Sequence, residues 1–140
     1  MIVTDASVVF KWVKTQEPYY DKALKLLRSH LKEREKIIVP HLLFIEIANA
    51  LATKTKNTKE TIRKDLNYIF KANLEVYIPD NKDILNTANL AKEYKTSAYD
   101  MLYAVVAKKH KTKLITADAN FINKTKFKFV KHLKDIDSHI

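Results

Sequence analysis

Short β-branched runs alternate with longer helical patterns along the 140 residues of the chain. MIVT at 1–4 is a strand candidate, and from Ala6 to Lys14 the apolar residues Val8, Val9, Trp12 and Val13 recur at helical spacing. Pro18 opens a second helix that carries Ala23, Leu24, Leu27 and Leu31 opposite a lysine-rich face. IIVP at 37–40 reads as a short strand stopped by proline, which also suits the first turn of the helix that follows. Asn57 with Glu60 resembles a capping box ahead of Ile62, Leu66, Ile69 and Phe70. EVYIP at 75–79 is strand-like, and the helix from Asp83 to about Tyr94 sets Leu85, Ala88 and Ala91 on one side. Ser97 begins the helical stretch SAYDMLYAVVAKKH, LIT at 114–116 is a strand, and FKFV at 127–130 reads as another. Strands and helices in alternation predict a mainly parallel sheet covered by helices on both faces. With no internal repeat, low-complexity tract or linker, residues 1–140 read as one α/β domain.

Composition narrows what such a domain can do. An apolar share of 46% can stock a core. The absence of cysteine removes disulfides, cysteine nucleophiles and thiolate zinc sites, and suits a reducing compartment. No apolar run approaches the roughly 18–20 residues of a membrane span. MIVTDASVVFKWVKT places an acid and a lysine where a signal peptide needs an unbroken apolar segment, so a cytoplasmic protein without membrane contact is expected. The chain also has no glycine, which excludes Gly-rich phosphate loops, dinucleotide fingerprints and nucleophile elbows. Its net charge of +10, from 26 Lys and Arg against 16 Asp and Glu, suits a polyanionic partner, although lysine enrichment also serves solubility.

The acids change the picture most. In LLFIEIANALA, residues 42–52, Glu46 is surrounded by Leu42, Leu43, Ile45, Ile47, Ala50 and Leu51. An unpaired carboxylate among apolar groups costs several kcal/mol unless a partner or a function compensates. None of its helical neighbours at three and four positions is a cation, and Asn49 adds a second polar group to the same face. Asp5 follows one predicted strand and Asp118 another, so both belong at the carboxyl rim of the sheet, where α/β folds bind ligands. Each could instead serve as a helix cap. Asp100 occupies the third position of the Ser97 helix, where an acid supports the cap and the dipole, yet Tyr99, Met101, Leu102 and Tyr103 partly enclose it. Four acids in one pocket repel unless a cation joins them. Their hard oxygens suit Mg²⁺ or Mn²⁺, which can activate water beside a phosphoryl group. An acidic pocket in a basic protein is the chemistry of a metal-dependent nuclease.

Four segments carry a resemblance: IVTDAS at 2–7, PHLLFIEIANAL at 40–51, SAYDMLYAVVA at 97–107 and LITADANF at 114–121. Their order and spacing resemble the PIN domain family, most closely its VapC-type toxin ribonucleases, over nearly the whole chain. The resemblance implies a three-layer α/β/α fold with a central, mainly parallel sheet and a Mg²⁺- or Mn²⁺-dependent ribonuclease site. By position it makes Asp5, Glu46, Asp100 and Asp118 the catalytic and metal-binding acids. Ser7, Asn49 and Thr116 match supporting positions, and Asn120 stands where some members carry another acid. It also implies an RNA substrate, an antitoxin partner and a homodimer. The alternatives are an RNA-processing or DNA-acting nuclease of the same fold without an antitoxin, and a non-catalytic RNA-binding or assembly module.

The remaining polar residues suggest less. His30, His41, His110, His132 and His139 show no paired metal-ligand spacing, and three of them lie among lysines as solvated or phosphate-facing groups. Tyr19, Tyr20, Tyr99 and Tyr103 could stack on bases but at helical spacing read as packing residues. The lysine runs at 108–113 and 124–134 read as solvated faces; one that bordered the acidic rim would hold phosphate.

Overall fold

Five short strands, β1 (Ile2–Thr4), β2 (Ile37–Pro40), β3 (Glu75–Tyr77), β4 (Leu114–Thr116) and β5 (Val130–His132), pair in parallel in the order β3-β2-β1-β4-β5. The computed structural model describes residues 1–136, so His139 lies outside the described residues. β1, β2 and β4 are buried at every position, which explains their nearly continuous apolar, β-branched sequences. The chain runs outward from β1 to β3 and then returns to β4 and β5. Strand order therefore reverses between β1 and β4, which are neighbours through Val3 with Leu114 and Thr4 with Ile115.

Among the described residues seven α-helices complete the expected three layers. They are α1 (Ala6–Val9), continued by the 3-10 turn Phe10–Val13, α2 (Tyr20–Leu31), α3 (Leu42–Thr53), α4 (Lys59–Lys71), α5 (Asn81–Tyr94), α6 (Ala98–Lys109) and α7 (Ala119–Thr125). α6 crosses β1, β2 and β4 and carries α5 on its outer side. α1 and α3 pack together on the other face, as right-handed crossovers require, and α4 packs against α3. α3 buries Leu43, Ile47 and Leu51 at four-residue spacing. α6 buries every residue from Tyr103 to Ala107, because it lies between the sheet and α5.

Several boundaries and faces differ from the sequence reading. Pro40 belongs to β2 and α3 starts at Leu42, so the proline ends a strand and lies outside the first helical turn. Thr58 caps α4 by accepting from the Thr61 N–H, while Asn57 donates to Asp65. The core stripe of α2 is Ala23, Leu26, Leu27 and His30, which leaves Leu31 56% exposed. α5 buries Asp83, Thr87 and Ala91, and Leu85 faces outward. Polar residues take that stripe because Asp83 accepts from Tyr77 Oη and Lys109 Nζ, which ties α5 to β3 and α6. The last strand begins at Val130. Phe127 stacks on Phe129 and packs edge-on against Tyr94, so the alternating FKFV pattern comes from an aromatic wedge.

Lacking glycine, the chain closes its turns with other residues in the left-handed region. Lys95 and Lys126 terminate α5 and α7 at φ 58° and 54°, and Asn73 and Lys111 do the same after α4 and α6. Each such residue accepts a steric cost of about 1 kcal/mol that glycine would avoid.

Buried His30 joins three segments. The Ile37 N–H donates to its Nδ1 at 3.0 Å, and its Nε2 donates to the Ala72 carbonyl at 2.9 Å. His30→Ala leaves a buried N–H and a buried carbonyl unpaired and opens a cavity. The expected loss is about 2–4 kcal/mol in urea unfolding, with an unchanged denaturant slope.

Candidate active site

The carboxyl ends of β1 and β4 deliver two acids to the point where strand order reverses, the usual ligand crevice of an open α/β sheet. Asp5 follows β1 and caps α1, as its sequence position allows, with Oδ1 accepting from the Val8 N–H at 3.3 Å. Ser7 Oγ donates to the same oxygen at 2.5 Å, and Thr116 Oγ1 donates to Oδ2. Both hydroxyls also accept, Ser7 from the Ala117 N–H at 2.9 Å and Thr116 from the Asp118 N–H at 3.0 Å. Each therefore spends its one proton on Asp5 and holds that carboxylate against the end of β4. Asp118 in turn caps α7, accepting from the Phe121 N–H at 3.1 Å.

The other two acids come from helices. Glu46 sits half-buried midway along α3, and the Tyr103 hydroxyl of α6 donates to its Oε1 at 2.6 Å. This bond joins helices from the two faces of the sheet beyond the strand ends. Asp100 lies in the first turn of α6, whose Ser97 cap accepts from the Asp100 N–H at 3.0 Å. Asp5, Glu46, Asp100 and Asp118 all line one cleft of about 900 Å³, together with Ser7, Asn49, Lys11 and Lys54. Thr116 supports it from beneath through Asp5.

Among the described residues none of these four carboxylates pairs with a cation within 4 Å. The charge of Glu46 is met by a phenol rather than a lysine. Burial pushes Asp5 up to about 6, against the hydrogen bonds from Ser7, Thr116 and Val8, and the charge of Asp100 adds to the rise. Burial and Asp100 also raise Glu46, opposed by Tyr103 and Lys54. Partial burial and Asp118 raise Asp100, opposed by Ser97 and Lys124. Burial and Glu46 together drive Tyr103 far above an ordinary phenol, so it remains a donor.

A hard divalent cation fits this donor chemistry. The cleft offers carboxylate oxygens that raise one another's proton affinity, which is the charge deficit a cation relieves. Among the described residues no three of the acids stand close enough to share an ion as arranged. Mg²⁺ needs only one or two carboxylates beside its waters, so this spacing suits it better than a cage-bound ion.

Two cleft residues escape the sequence reading. Lys11 is 5% exposed, with its ammonium 3.5 Å from Glu17, and lies in the apolar stretch VVFKWV. A charge amid apolar neighbours, the signal that singles out Glu46, marks Lys11 as well. Tyr103 reads as a packing residue and is indeed 1% exposed, but its hydroxyl reaches Glu46. Tyr99 stands 62% exposed on the cleft wall, and Asn120 is exposed on α7. The lysine runs divide: Lys124 lies near Asp100, whereas most of the others gather at the opposite rim, away from the acids.

The family model described as PIN domain matches residues 2–127. The fold is similar to that of PAE2754 from Pyrobaculum aerophilum, with 25% identity and a TM-score of 0.67 over 95% of this chain and 83% of that one. It is also similar to VapC20 from Mycobacterium tuberculosis, a Sarcin-Ricin loop cleaving toxin, with 12% identity and a TM-score of 0.69 over 89% and 95% of the two chains. A toxin–antitoxin complex from Klebsiella pneumoniae aligns with 12% identity and a TM-score of 0.69 over 97% of this chain and 100% of that one. No curated protein matches the chain in sequence.

Proposed function

The chain belongs to the PIN domain family, and on that premise we propose that it is a metal-dependent endoribonuclease, the toxin of a toxin–antitoxin pair. One observation carries the reading: four carboxylates without a cation partner, among the described residues, line a single cleft at the switch point of the sheet. Bound there, Mg²⁺ or Mn²⁺ would supply Lewis-acid activation of water and neutralise charge growing at phosphorus. Asp5, Glu46, Asp100 and Asp118 are the residues that would hold one or two such ions, one or two carboxylates at a time beside bound waters. Ser7 and Thr116 orient both oxygens of Asp5, and Tyr103 orients Glu46. Lys54, exposed on the cleft wall, offers positive charge to the RNA phosphates beside the acids. In the hydrolysis a water oxygen bonds to phosphorus, the bond to the 3′ oxygen breaks, and that oxygen leaves with a proton. No side-chain nucleophile is required, in keeping with a chain that has neither cysteine nor a glycine elbow.

Incubation of the purified protein with RNA should give cleavage that needs Mn²⁺ or Mg²⁺ and stops with a chelator. Cleavage that persists in the Asp100→Asn protein would remove that residue from the site. Tyr103→Phe keeps the packing and deletes only the hydroxyl. It should cost about 1 kcal/mol of stability and weaken Mn²⁺ binding by calorimetry, because Glu46 loses the donor that favours its charged form.

The antitoxin is supported by the aligned toxin–antitoxin complex and by exposed apolar residues, Ile45 on α3 and Tyr68 and Phe70 on α4. The homodimer of the sequence reading belongs to the same proposal. Expression of the active chain should arrest growth. Co-expression of a short protein encoded beside it should relieve the arrest, and an Asp100→Asn chain should cause none.

A further inference from the structure

The two lysine runs left unassigned by the sequence meet in space. Lys108 lies in the last turn of α6, Lys111 and Lys113 follow that helix, and Lys128 and Lys131 flank the start of β5. All five line one cavity of about 620 Å³, whose floor includes Ile2 and Phe129. The cavity lies at the amino ends of β1, β4 and β5, the rim opposite Asp5 and Asp118. Lys113 and Ala117 bracket β4, so the two rims stand about 13 Å apart through the sheet.

Three features separate this cavity from a solvated lysine face. It is concave over an apolar floor, and such walls focus the field of the charges that line them. Among the described residues its one carboxylate, Glu35, is already engaged by the Met1 ammonium. Among the described residues none of the five lysines makes an ion pair within 4 Å. Five like charges in one basin repel, and a polyanion is what would relieve them. Among the described residues the lining has no arginine fork, so the chemistry is that of point charges meeting a phosphate backbone, without reading sequence.

We propose that this cavity is a second nucleic-acid site, a backbone-phosphate site that holds a segment of an RNA strand away from the acidic cleft. The proposal rests on RNA being the substrate. By engaging phosphates at both rims, an RNA would be held by parts of itself remote from the scissile bond, and binding would favour strands long enough to wrap the sheet edge.

The test is fluorescence anisotropy of a labelled single-stranded RNA, in chelator so that no cleavage occurs. A Lys113→Gln/Lys128→Gln/Lys131→Gln protein is compared with a Lys56→Gln/Lys59→Gln/Lys64→Gln protein, which removes equal charge around α4. All six side chains are exposed, so both proteins should melt with the wild type. The cavity variant should bind about tenfold more weakly at 0.1 M salt and lose about 2 from the slope of log affinity on log salt. The α4 variant should change affinity by less than about twofold. Equal weakening in both variants, or none in the cavity variant, would overturn the site. Cavity-dependent binding of duplex DNA but not of RNA would overturn RNA as its occupant. Wild-type Mn²⁺-dependent cleavage is measured in parallel. Cavity-dependent RNA binding without cleavage supports the site and sinks only the ribonuclease reading, whereas cleavage with binding indifferent to the cavity lysines sinks only the site.

Discussion

Asp5→Asn should abolish Mn²⁺-dependent RNA cleavage, by about 10³-fold or more, while the melting temperature of the metal-free protein holds or rises. The first half follows from charge. An amide keeps the shape of the carboxylate but surrenders its affinity for a hard cation. A bound cation contributes several kcal/mol of transition-state stabilisation, with each 1.4 kcal/mol worth about tenfold in rate. The second half follows from the environment of Asp5 without metal. Burial disfavours its charge, and Asp100 repels it. The amide of the Asp5→Asn protein would still accept from Ser7 and Val8 through one oxygen, losing only the acceptor now used by Thr116. Removing a partly buried charge that has no cation partner and losing one hydrogen bond offset each other to within about 1–2 kcal/mol. Rate assays with matched thermal melts check both halves. Undiminished cleavage would sink the site assignment, and a collapsed melting temperature would reassign Asp5 to structure.

Stability should also depend on pH in a direction that Asp5 dictates. Its carboxyl moves from an ordinary 3.8 to about 6 on folding, so between those values the folded chain binds the proton more tightly than the unfolded chain. The contribution of this group is thus fully present below about pH 4 and is lost as pH rises through 6. Wild type should fall behind Asp5→Asn across that window, by up to about 3 kcal/mol at 1.36 kcal/mol per unit. Glu46 and Asp100 are shifted the same way and steepen the decline shared by both proteins. Above pH 6 the ionised acids can take a cation, so millimolar Mg²⁺ should restore wild type but not Asp5→Asn, by an amount that grows with concentration over its dissociation constant. Urea titrations in steps from pH 4 to 7, with and without Mg²⁺, measure this. A wild type that gains on the variant as pH rises would contradict the burial of Asp5.

How far the sequence leads depends on the range of the interaction that decides each feature. Strand periodicity is local, and IVT, IIVP and LIT announced buried parallel strands, with Asp5 and Asp118 at their ends. Ser97 was legible as a cap because its partner is only three residues away. FKFV misled because alternation also suits an aromatic wedge, whose partner Tyr94 lies on another helix. Leu85 misled because the buried stripe of α5 follows Asp83, whose burial depends on Lys109 from α6.

The sequence by itself determined which residues are the candidates for the chemistry. It placed four acids in segments whose local geometry ends strands or opens and threads helices, and its lack of glycine and cysteine closed other routes. Only the tertiary structure decided what each charge faces. Strand order brought β1 beside β4, so that Thr116 holds Asp5 across 111 positions of sequence. The packing of α3 and α6 at the rim answered Glu46 with Tyr103 instead of a lysine. The same strand order carried the lysine runs to the far rim, where they meet around one cavity. Backbone propensity acts over a few residues, whereas the partner of a buried charge is chosen by which surfaces the sheet order and helix packing press together.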